Sequence, residues 1–222
     1  MNQNKSSIDT KKIVGIAMFT ALAYAVTFVF RIPVMFLTFD AKDAVITIAS
    51  LMYGPLSGVL ISFMVAFIEF ISISGTGVYG FIMNFASSAV FSAVASLVYK
   101  YKRNTAGAVI GFYAASLSMV AVMMCLNILV TPYYMAGDLG TAAARAEVIA
   151  LLPVVILPFN IAKALLNSAF AMLLYKPVVI AMRKAKLLRG SSKFEINRSS
   201  VVMLITALVT LAAAVVIFVI LK

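Results

Sequence analysis

The chain has 222 residues, 64% of them hydrophobic and 11% charged, with a formal net charge of +11. Soluble domains carry about 45–50% apolar residues, so the composition excludes a soluble fold and points to an all-α integral membrane protein. There is no histidine, no tryptophan and a single cysteine, Cys125. An intramolecular disulfide is thereby excluded, as are imidazole metal sites and proton relays; Cys125 reads as a small core residue, and tyrosine must supply any aromatic belt. The basic residues sit at the ends of apolar runs, a topogenic pattern, so a nucleic-acid partner is not indicated.

Residues 1–12 are polar and read as a cytoplasmic tail. Ile13–Phe30 is a membrane helix retained after synthesis, stopped by Arg31 and Pro33. Ala44–Tyr53 is apolar but short, since spanning the hydrocarbon takes about 20 helical residues; it is expected to start nearer Asp40 or to lie partly within a cavity. Gly54-Pro55 is a turn signal. Leu56–Ile73, Phe81–Tyr99 and Ala108–Val130 are three further spans, with a glycine-rich loop, Ser74–Gly80, between the first two. A polar stretch follows from Tyr133 to Glu147. Proline at 153 and 158 interrupts the next apolar run, Val148–Tyr175, and its membrane helix is expected to begin near Pro158. A basic cytoplasmic linker occupies 186–200, and residues 201–222 form one more span.

Lysine and arginine in short loops set orientation. With the N-terminus in the cytoplasm, thirteen of these residues lie inside and four outside, Arg31, Lys42, Arg145 and Lys222, with Lys163 left in the membrane. A lysine at membrane depth costs at least about 2.5 kcal/mol and marks a functional site by default. Asn160 lies one helical turn before it on the same face. In this orientation Asp43, Asn84, Asn127, Asn160 and Lys163 all fall in the outer half of the membrane. Amides offer donors and acceptors, and the ammonium offers donors alone. The set suits an outward-facing pocket for a heterocycle with carbonyls and ring nitrogens. Glu69 reads as reaching the interface, with pairing to Lys163 or Lys42 as the alternative. In the first span, Ala17, Ala21 and Ala25 recur every four residues, a smooth stripe on which another helix can pack closely. No phosphate-binding loop, nucleophile elbow or zinc-protease motif is present, so no catalytic residues are assigned and any energy input comes from other subunits or from an ion gradient.

Several of these segments together resemble the substrate-binding S component of an energy-coupling factor (ECF) transporter, in particular its riboflavin-specific type. They are the alanine stripe, the acidic loop ending at Asp43, Tyr53-Gly-Pro-Leu-Ser-Gly58, and Gly75-Thr-Gly-Val-Tyr-Gly-Phe-Ile-Met-Asn84. Asn127 followed by Thr131-Pro-Tyr-Tyr134, and Pro158-Phe-Asn-Ile-Ala-Lys163, complete the set. The resemblance spans residues 11 to about 185. It implies a six-helix bundle over 13–185 that binds vitamin from outside and docks through Ala17, Ala21 and Ala25. Its partner would be a membrane scaffold subunit carrying two cytoplasmic ATPases. It further implies that Asn127, Asn160 and Lys163 bond the isoalloxazine edge and that Asp43 meets the ribityl chain. Two features depart from the pattern. Lys42 interrupts the acidic loop and favours a phosphorylated flavin (FMN), and the final span is additional. A different vitamin, such as thiamine or biotin, remains an alternative within the fold, and a lipid-processing membrane enzyme outside it.

Overall fold

The computed structural model describes residues 10–136, 140–188 and 198–220. The first helix, α1 (Thr10–Val29), starts three residues earlier than the apolar run, taking in part of the expected tail. A short antiparallel hairpin follows, β1 (Ile32–Val34) and β2 (Leu37–Phe39), paired Ile32 to Phe39 and Val34 to Leu37. Its two-residue turn, Met35-Phe36, places Met35 at φ 51°, a backbone region that usually favours glycine. The remaining helices are α2 (Lys42–Tyr53), α3 (Pro55–Ser72), α4 (Gly77–Tyr101) and α5 (Thr105–Leu129), then α6 (Thr131–Met135), α7 (Gly140–Leu151), α8 (Leu157–Lys184) and α9 (Arg198–Ile220).

Six helices, α1 to α5 and α8, make the bundle, and α9 lies against its flank. Helix α2 explains how a short segment serves in a membrane. Its 12 residues rise about 18 Å, too little for a hydrocarbon core of about 30 Å. It is walled instead by α1, α3, α4 and α8, and every residue from Lys42 to Ser50 is buried. Its polar start therefore meets protein groups and not lipid. Gly54 turns the chain from α2 into α3 at φ 96°, and Gly58 lets α3 close on Ser50, whose side chain a Cβ at that position would strike. Serine hydroxyls knit α2 to α4 below that point: Ser50 Oγ lies 2.7 Å from Ser96 Oγ and 3.0 Å from the Ser92 carbonyl, with one proton to share between them.

The polar stretch after α5 is helical where described, because α7 runs through one π-helical turn, Leu152–Ile156, into α8. Pro153 sits within that turn, and Pro158 follows it in the first turn of α8. The linker assigned to 186–200 lies outside the described residues over 189–197, as do residues 1–9 of the tail and 221–222. Helix α9 already begins at Arg198 and turns a small face, Ala207, Thr210 and Ala214, to the bundle. The Tyr113 and Thr210 hydroxyls meet at 2.7 Å, and Phe218 packs edge-on to Phe39 at 6.0 Å. Cys125 is exposed on the apolar exterior of α5 and is not a core residue. The alanines Ala17, Ala21 and Ala25 are also exposed, while α1 buries Gly15, Phe19, Ala23 and Thr27 on its inner face.

Candidate binding site

Between the hairpin, the α3–α4 loop and the first turns of α8 lies a cavity of about 210 Å³. Its apolar walls include Phe36, Phe70, Phe81, Met83 and Phe159, flat and polarisable surfaces suited to a planar ring. Its polar groups include Asp40, Lys42, Glu69, Asn84, Asn160 and Lys163, with Arg31 nearby on the lining.

Lys163 faces inward from α8. Its Nζ donates to Asp40 Oδ2 at 3.3 Å and lies 3.9 Å from Asp43 Oδ2. Asn160, one turn earlier, gives its amide nitrogen to the Ile156 carbonyl at 2.8 Å, which leaves Oδ1 for the cavity. Asp40 Oδ1 is buried with no hydrogen-bond partner among the described residues. An unmet buried carboxylate oxygen is costly, and a ligand donor would satisfy it. Three buried carboxylates, Asp40, Asp43 and Glu69, stand with two buried ammonium groups, Lys42 and Lys163, while Arg31 on the lining is exposed.

The five residues singled out by sequence divide into two groups. Asn84, Asn160 and Lys163 line the cavity; Asp43 and Asn127 do not. Asp43 stands beneath it, accepting from Ser88 and flanking Lys163. Asn127 is fully buried in α5. Its nitrogen donates to the Met123 carbonyl at 2.8 Å and its oxygen accepts from Thr131 at 2.9 Å. Thr131 in turn accepts from Tyr134, a lining residue, at 3.3 Å. Burial raises the Tyr134 hydroxyl above its ordinary pKa despite that bond, so it is a neutral donor.

Glu69 does not reach the interface. It is buried and holds Lys42 through bonds of 2.8 and 2.7 Å. Asn167 is a further contributor that sequence reasoning missed. Its Oδ1 accepts the Ala44 N–H at 3.0 Å at the start of α2, and its nitrogen donates to the Asp40 carbonyl at 3.1 Å. It thereby pins the acidic loop to α8. The one signal for it was spacing: Asn160, Lys163 and Asn167 share a helix face.

A family model described as "ECF transporter, substrate-specific component" matches residues 11–175. The chain is 31% identical over 173 residues to the riboflavin transporter RibU of Staphylococcus aureus (strain TCH60), covering 76% of this chain and 90% of that protein. It is 26% identical over 192 residues to the riboflavin transporter FmnP of Bacillus subtilis (strain 168), covering 80% and 98%. Among solved structures, the S component of a bacterial ECF transporter superposes with a TM-score of 0.65 at 26% identity, over 79% of this chain and 99% of that one.

Proposed function

This chain belongs to the family of ECF transporter substrate-specific components, and on that premise we propose that it captures riboflavin from outside the cell and carries it across the cytoplasmic membrane. The observation that carries this reading is the Lys163–Asn160 face of α8 at the wall of an aromatic-lined cavity. The isoalloxazine edge offers two carbonyls and a ring nitrogen as acceptors and one N–H as donor. Lys163 supplies the donors and Asn160 Oδ1 an acceptor, while Phe159, Phe70 and Phe81 bracket the ring. Asp43 and Asn127 support from behind, Asp43 by holding Lys163 and Asn127 through Thr131 and Tyr134.

The pairing of Lys42 with Glu69 removes the ground for preferring FMN, because its ammonium is already engaged at 2.7 and 2.8 Å. Riboflavin is favoured over thiamine and biotin because both relatives above are riboflavin transporters. The protein is a multi-pass membrane protein, with six helices among the described residues long and apolar enough to cross. The excess of lysine and arginine supports a cytoplasmic N-terminus. Its docking face is the exposed stripe Ala17, Ala21 and Ala25, which admits a close helix neighbour. The partner is a membrane scaffold subunit that brings two cytoplasmic ATPase subunits to supply the energy.

Purified protein should be yellow and should titrate to saturation with riboflavin, read by quenching of flavin fluorescence. Binding of thiamine or biotin without riboflavin overturns the substrate. Ala21→Trp should abolish uptake while changing riboflavin affinity by less than about twofold. Uptake that survives it removes the stripe from the docking face.

A further inference from the structure

Glu69 is the most connected side chain of the cavity, and the binding scheme above does not use it. Its Oε1 accepts from Thr27 at 3.1 Å and from Lys42 at 2.8 Å. Its Oε2 accepts from Lys42 at 2.7 Å and from Asn84 Nδ2 at 3.2 Å. One carboxylate thus ties α1, α2 and α4 to α3. A carboxylate gripped by an ammonium through both oxygens is ionised, and an ionised carboxylate can only accept. Asn84 must therefore turn its NH₂ to Glu69. Its Oδ1 takes no hydrogen bond from the described residues, and Asn84 lines the cavity.

We infer that Glu69 is a positioning residue that fixes the Asn84 amide so that the α4 wall presents a hydrogen-bond acceptor, which reads a hydroxyl of the ligand's sugar-alcohol tail. The assignment rests on the riboflavin reading. The ring edge is rich in acceptors and needs donors, which α8 supplies through Lys163. The tail carries hydroxyls, each able to donate. Were Asn84 flipped, its NH₂ would face the cavity and Oδ1 would meet a carboxylate oxygen. The negative charge of Glu69 forbids that arrangement.

The test is a double-mutant cycle on the full-length protein, read with two ligands. One is riboflavin; the other is lumiflavin, the same ring with a methyl group in place of the tail. In Glu69→Gln the new side-chain NH₂ competes with the Asn84 NH₂, so the amide turns over. Riboflavin affinity should fall about tenfold and lumiflavin affinity should hold within about twofold. In an Asn84→Ala background the same change should cost riboflavin affinity less than about twofold, because its route of action is gone. Additive losses in the cycle, or equal losses for both ligands, overturn the inference and leave Glu69 as scaffold only. Should Glu69→Gln fail to fold, the pair Lys42→Met with Glu69→Gln, which strands no ammonium, takes its place in the same cycle with the same two outcomes. Wild-type protein that binds no riboflavin sinks the substrate reading and this inference together. Wild-type protein that binds riboflavin but gives an additive cycle sinks this inference alone.

Discussion

Two lysines enter the same cavity and do different work. Lys42 is saturated: Glu69 meets it at 2.7 and 2.8 Å, and Asp40 lies 3.5 Å away. Lys163 is loosely held, 3.3 Å from Asp40 and 3.9 Å from Asp43, next to a carboxylate oxygen with no partner. A buried ammonium with ideal partners is part of the scaffold, because removing either member strands a charge. One with long contacts keeps donor capacity that a ligand can take up. Distance and partner count, more than residue type or depth, separate the saturated lysine from the one proposed to meet the ligand.

The sharpest way to break this contrast is to remove Lys42. Lys42→Met leaves Glu69 buried without its counter-ion, and unfolding in detergent should show a loss of about 3–5 kcal/mol. Adding Glu69→Met should recover most of it. A small loss in the single variant would mean that the pair is solvated and the contrast illusory. Lys163→Met should instead weaken riboflavin by tenfold or more, since a charged hydrogen bond is worth about 1.5–3 kcal/mol. Its stability cost should be smaller than that of Lys42→Met, because Asp40 keeps Lys42 at 3.5 Å. Asn160→Ala is the mildest probe. Its nitrogen bonds only its own helix at Ile156, so stability should change little while affinity falls by about 0.5–1.5 kcal/mol. Calorimetric titration alongside a melting curve separates the two effects.

Much of the bundle was legible from the chain. Apolar runs of spanning length mark α1, α3, α4, α5 and α9 to within a few residues, because lipid imposes a length and a composition on each. Lys163 stood out for the same reason. What was hidden depends on partners. The hairpin Ile32–Phe39 has strands of three residues and no Asn-Gly turn, so no period-2 pattern rises above its surroundings. Helix α7 was masked by the polar residues Arg145 and Glu147 and by Pro153, which a π turn accommodates. For Glu69 the chain offers Lys42 only as one alternative beside Lys163 and the interface. Only the fold shows that Lys42, 27 residues away, and Thr27, 42 residues away, reach the same carboxylate. Likewise Asn127 has the depth of a binding residue, yet its amide is occupied within its own neighbourhood.

The most direct measurement is an equilibrium riboflavin titration of Lys163→Met beside the wild type, with both proteins shown to be folded by their melting curves. The wild type should saturate with an equimolar amount of riboflavin, and the variant should bind at least about tenfold more weakly. Equal affinities in two folded proteins would contradict the central claim that the Lys163 ammonium is held in that cavity for the vitamin.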